Sequence, residues 1–185
     1  MIALHNLGII FEKQQNWDEA EKILRRSYDL CVKLEDQRGQ AMILNSLGQL
    51  IYKQEGEDKF QLALMYFKAS IKLGEQLHDQ GHLAKAHTAM GKALLAHGET
   101  NKATEEFCKG FEIDESLTNR FGLGKVTPQL THALVRLGKR DEALAYCQRA
   151  LVIDPTNRQL QELCDRLSSP NPIKKGTVKH IRYNT

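Results

Sequence analysis

Proline is scarce in this chain and comes late: there are four, and the first is Pro128. Nothing before it is barred from helix by a missing amide hydrogen, and β-branched runs that would favour strands are few. Long apolar runs are missing as well. No stretch approaches the roughly 20 apolar residues of a membrane span, and no basic segment leads into an apolar core with a small-residue cleavage site. A cytoplasmic setting without membrane contact is therefore expected. Close cysteine pairs are absent too. Cys31, Cys108, Cys147 and Cys164 lie far apart without CxxC spacing, so four reduced core thiols are expected rather than a thiolate metal site or redox motif.

Catalytic signatures are also lacking. There is no GxSxG, no glycine-rich phosphate loop ending in Lys-Ser/Thr, and no Cys-His context of a nucleophile. His78 and His82 have the i, i+4 spacing of a zinc pair. They flank Asp79, Gln80 and Gly81 with no third ligand nearby, so no metal or cofactor is expected. Adjacent acids such as Asp18–Glu19 and Glu105–Glu106 read as solvated helix faces, not as acid–base pairs. An enzyme is not expected.

What remains is an ordinary soluble composition in 185 residues, 41% hydrophobic and 26% charged. The net charge of +3 is uneven. Residues 173–185 hold Lys174, Lys175, Lys179 and Arg182 with no acid, which leaves the rest of the chain at −1. A near-neutral body lacks the electrostatic footprint of a nucleic-acid binder.

The informative feature is a repeat. "LEDQRGQAMILNSLGQL" from Leu34, "LHDQGHLAKAHTAMGKAL" from Leu77 and "LTNRFGLGKVTPQLTHAL" from Leu117 align, with steps of 43 and 40 residues. Leu7-Gly8, Leu47-Gly48 and Met90-Gly91 share a slot that Leu130-Thr131 fills in the fourth copy. Downstream come Ala20, Ala63, Ala103 and Ala143, and four residues later Leu24, Phe67, Phe107 and Cys147. Turn signals fall at Gly56, Gly98 and Gly138, and Pro155 closes the last copy. Apolar residues recur at three- and four-residue spacing, the mark of amphipathic helices. Each copy thus reads as helix A, a turn and helix B. A glycine inside helix A costs about 1 kcal/mol relative to alanine, so Gly48 must be repaid by a close approach of helix B. Three extra residues enlarge the turn of the second copy around Glu57 to Phe60.

Over residues 2–155 this resembles the tetratricopeptide repeat (TPR) pattern in its leucine-glycine, alanine, aromatic and proline slots. The 40-residue step exceeds the ~34 of the standard unit and is similar to the long-helix variant of spindle-orientation scaffolds, kinesin light chains and bacterial peptide-sensing regulators. The resemblance implies an all-α, right-handed solenoid of about four helix-turn-helix units (about 1–40, 41–83, 84–123 and 124–155) and a capping helix at 156–168. Residues 169–185 form a basic tail, and 1–168 the array.

The resemblance also implies a concave groove lined by the A helices. Carried over position by position, it places Ile2, His5, Asn6, Ile9, Glu12 and Lys13 there from the first unit, and Met42, Asn45, Ser46, Gln49, Tyr52 and Lys53 from the second. Lys85, Thr88, Ala89, Lys92, Leu95 and Ala96 follow from the third, then Lys125, Pro128, Gln129, His132, Val135 and Arg136 from the fourth. The groove is basic through Lys53, Lys85, Lys92, Lys125 and Arg136. Asn6, Asn45 and Gln129 add amides that can both donate to and accept from a peptide backbone. The residues expected to bind are Asn6, Asn45, Gln49, Lys53, Lys85, Thr88, Lys92, Lys125, Gln129, His132 and Arg136, and the expected partner is an acidic peptide or protein segment. The set departs from the carboxylate clamp of chaperone-binding members, and a solvated polar face without a ligand is the alternative.

At the ends, Met1 falls inside a helix A with no cap, which suggests a piece of a longer chain and an apolar edge open to self-association. "KGTVK" in the tail resembles the first strand of a cold-shock domain. The tail is either the start of such a neighbour or incidental. With Tyr183 as its only aromatic it offers no stacking platform, so this chain is not expected to bind nucleic acid. A regulatory or spacer role in a larger protein whose activity lies elsewhere is the alternative function.

Overall fold

The computed structural model describes residues 2–54 and 56–169. The expectations placed on the basic tail, including the cold-shock likeness, lie outside these residues. Among them run nine α-helices: α1 (Ile2–Lys13), α2 (Trp17–Lys33), α3 (Gln37–Tyr52), α4 (Glu57–Gln76), α5 (Gln80–Ala96), α6 (Thr100–Ser116), α7 (Arg120–Arg136), α8 (Arg140–Ile153) and α9 (Arg158–Ser168). No helix among the described residues is long and apolar enough to cross a membrane.

Short joints force neighbouring helices into hairpins, and the joints between repeats share one design. At each, the helix B backbone ends in a Schellman turn: Asp36 N–H reaches Cys31 O at 2.9 Å, Asp79 N–H reaches Gly74 O at 3.0 Å, and Asn119 N–H reaches Asp114 O at 2.8 Å. The left-handed residue is Glu35, His78 or Thr118 (φ +54°, +52° and +49°). The next residue then caps the following helix, since Asp36, Asp79 and Asn119 accept from the N–H of Gly39, His82 and Gly122. One residue thus ends helix B and starts helix A. These caps set α3, α5 and α7 starting at 37, 80 and 120, about four residues ahead of the unit bounds drawn from the repeat.

Within repeats, Gly98 and Gly138 take positive φ (+90° and +77°) at the A-to-B turn, a conformation glycine adopts without steric penalty. The second repeat differs from the sequence reading. Glu57 to Phe60 is the first turn of α4 rather than part of an enlarged loop, and α4 runs to 20 residues against 17 in α2 and α6. The inserted residues lengthen the helix because Glu57 and Asp58 suit a first turn, where the helix dipole favours acids.

The core is built as the repeat requires. Ala20, Ala63, Ala103 and Ala143 are fully buried. A methyl on Gly48 would meet the Phe67 ring at 2.8 Å, and one on Gly91 would meet Phe107 at 2.7 Å, so each glycine is where an aromatic of helix B seats. In the fourth repeat the sizes are exchanged: helix A carries Thr131 and helix B the smaller Cys147, both buried.

The odd-numbered helices touch along the array, α1 on α3, α3 on α5, α5 on α7 and α7 on α9, whereas successive even-numbered helices approach far less among the described residues. A stack with one row close and the other spread curves toward the close row. The chain is therefore an all-α, TPR-like solenoid whose concave side belongs to α1, α3, α5 and α7. The helix α9 closes the far end with Leu160, Cys164 and Leu167 buried. At the near end Leu7 and Ile10 stay 37% and 50% exposed, while their register equivalents Leu47 and Leu50 are buried.

Two polar features correct the sequence reading. His5 and Ser46 do not line the groove. Both are buried, with His5 Nε2 and Ser46 Oγ 2.8 Å apart between α1 and α3. Glu106 is not on a solvated face: it is 9% exposed, accepting from His87 Nδ1 on α5 and from Lys109 Nζ, each at 2.7 Å. Its helix phase turns it toward α5, and His87 supplies the partner that a buried carboxylate needs.

Candidate functional site in the groove

Helices α3, α5 and α7 enclose a cavity of about 260 Å³ on the concave side. From α3 come Asn45, Gln49 and Tyr52; from α5, Lys85, Thr88, Ala89 and Lys92; from α7, Phe121, Gly122 and Lys125. Asp114 at the end of α6 and the cap Asn119 complete it. Groove positions three to four residues apart on parallel A helices converge here because the stack brings equivalent positions into rows.

The electrostatics are lopsided. Lys85, Lys92 and Lys125 make no ion pair among the described residues. Lys92 is half-buried, and burial, with Lys125 and Lys53 adding repulsion, pushes its ammonium below the usual lysine range. Lys125 lies 3.9 Å from the ring centre of Phe121, a cation–π contact, and Phe121 stands 71% exposed at the rim. Asp114 is the one carboxylate in the lining. It is 3% exposed; burial raises its pKa, opposed by a hydrogen bond from Asn119 Nδ2 (2.6 Å) and the charge of Lys85. A methyl on Gly122 would run into that carboxylate, so only glycine leaves it room. On the opposite wall Asn45 Oδ1 is buried with no hydrogen-bond partner among the described residues.

The structure thus brings together Asn45, Gln49, Lys85, Thr88, Lys92 and Lys125 of the expected binding residues. The others stand apart. Asn6 is exposed on α1, Lys53 pairs with Glu12, and Gln129 and Arg136 line no part of this cavity. His132 belongs to a second, larger hollow of about 500 Å³ between α7 and α9, with Pro128, Val135 and Leu163. That hollow is the weaker candidate. Its Arg140 is committed to the end of α9, donating to the carbonyls of Leu167, Arg166 and Ser169 at 2.6–3.0 Å. Asp114, Asn119, Phe121 and Gly122 escaped the sequence reading because they belong to a joint, not to the A-helix face. One signal was present: the slot that holds Cys31 and Gly74 in earlier repeats carries an acid in the third.

Comparison with known proteins agrees with this architecture. Family models of the tetratricopeptide repeat match residues 1–59 and 129–159. No curated protein sequence matches the chain significantly. Among solved structures, BtubC (BKLC) from P. vanneervenii superposes with a TM-score of 0.69 at 16% identity, covering 95% of this chain and 68% of that one. A thermophilic TPR protein of Thermus thermophilus gives 0.63 at 19% identity, covering 89% and 79%. The TPR domain of Arabidopsis OM64 gives 0.52 at 22% identity, covering 71% and 97%. At these identities the likeness is one of fold, a tetratricopeptide-like solenoid, and the family models place repeats of that type at both ends of the array.

Proposed function

We propose that the chain is a non-catalytic interaction module that takes an acidic peptide or protein segment in its concave groove. Tetratricopeptide repeats are protein-binding scaffolds, and the finer reading rests on one observation: Lys85, Lys92 and Lys125 line a single cavity without ion pairs among the described residues. Unpaired ammonium groups supply attraction for carboxylates. The reading treats residues 1–168 as one array.

The experiment is a fluorescence-anisotropy titration of an Asp/Glu-rich peptide against the wild-type chain and the Lys85→Glu, Lys92→Glu double variant. Reversing two charges at the centre of the contact should weaken binding by more than about tenfold, and added salt should weaken the wild type further. Equal affinity for the two proteins would sink the proposal.

A further inference from the structure

We infer that the groove cavity receives a phosphomonoester dianion, carried on a serine or threonine of the partner peptide. This rests on the acidic-peptide reading and narrows it. Three lysines share the lining with one carboxylate, Asp114, so the cavity carries two positive charges in excess. Asp114 is already engaged by Asn119 and sits against Gly122, and it forms no ion pair with Lys92 or Lys125. A single Asp or Glu side chain would leave one of those charges uncompensated. A phosphomonoester carries about −1.5 to −2 at neutral pH and presents three acceptor oxygens, one for each ammonium.

The cations are all lysines, and ammonium groups act as point charges that can surround a tetrahedral anion. Size is consistent with this: about 260 Å³, just below the roughly 300–1,000 Å³ of pockets that enclose whole small molecules, suits one side chain. The half-burial of Lys92 completes the case. Its charge is held partly out of water next to like charges, an arrangement that a bound dianion stabilises and solvent does not.

The test uses one short fluorescein-labelled Asp/Glu-rich peptide in three versions, with serine, glutamate or phosphoserine at its centre, titrated against the 185-residue chain. The phosphoserine version should bind about tenfold tighter than the glutamate version, since a second charge and a third oxygen are engaged. Lys92→Met and, separately, Lys125→Met should abolish that preference while thermal melts by circular dichroism show the fold retained. Inorganic phosphate should compete only in large excess. Equal binding of phosphoserine and glutamate versions overturns this inference and leaves the acidic-peptide reading standing; no binding of any version overturns both. A preference that survives both lysine substitutions also overturns it. So does displacement by inorganic phosphate at the peptide's own concentration, which would make free phosphate the ligand.

Discussion

Helix α6 carries two buried carboxylates whose environments are opposite. Glu106, toward its middle, accepts from His87 on α5 and from Lys109 one turn on, and these partners hold its pKa below the usual carboxylate range although burial alone would raise it. Asp114, at the helix end, has one neutral amide donor, and burial pushes it above that range. The first acid is wired into the packing of its own repeat. The second faces the groove, where it lowers the excess of positive charge around the lysines without pairing with Lys92 or Lys125. Burial disfavours the ionised form of Asp114 there. The same contrast divides the cations: Arg149 pairs with Glu115 and Lys109 with Glu106, while Lys85, Lys92 and Lys125 form no ion pair among the described residues.

The sharpest way to break this comparison is to truncate the wired acid. Glu106→Ala would leave His87, itself only 9% exposed, without its partner. Removing one member of a buried pair costs about 2–4 kcal/mol, because the survivor keeps its desolvation penalty. A clear drop in urea midpoint is expected. A variant as stable as the wild type would mean that the pair is ornamental and that the two acids do not differ in kind.

Asp114→Asn should act in the opposite direction and less strongly. Asparagine keeps an oxygen for Asn119 Nδ2 and removes a charge that burial disfavours, so a gain of up to about 1 kcal/mol at neutral pH is expected. Stabilisation with altered peptide affinity is the signature of a residue held for the groove's sake. Destabilisation by more than about 1 kcal/mol would place Asp114 in the structural class with Glu106.

The two carboxylates also mark what could be read from the sequence. The fold was legible because the repeat writes itself several times: Gly8, Gly48 and Gly91 fall in one slot, and leucine-x-Asp/Asn in another, so each copy supports the others. The groove was legible where it follows from helix phase alone, as at Asn45, Lys85, Lys92 and Lys125. What depends on a single tertiary contact was not. Glu106 looks solvated until α5 is packed beside it, and its partner His87 lies 19 residues away. His5 and Ser46 are 41 residues apart, and each by itself looks like an ordinary polar groove residue. Lys53 looks free until α1 brings Glu12 to it. Asp114 needed the joint geometry, since only the capping turn at Asn119 folds it back over Gly122.

The smallest effect, and the one that resolves the comparison best, is in pH. Asp114 has a raised pKa in the folded state, so its ionised form subtracts stability at neutral pH. As pH falls through the folded value the native state takes up the proton first, and the penalty is relieved completely below about pH 4, where the unfolded chain is protonated too. The advantage of Asp114→Asn over the wild type should therefore be full at neutral pH and shrink to nothing in mild acid. Glu106 has a lowered pKa, so its contribution is full above the unfolded value of about 4.3 and is lost only as pH falls below that, through the folded value. The deficit of Glu106→Gln should hold steady through mild acid and close only below it. Urea midpoints for the three proteins from neutral pH down to about pH 3 would place the two changes on opposite sides of the ordinary carboxylate range. An Asp114→Asn advantage that grows on acidification would reverse the assignment of which acid the fold tolerates and which it uses.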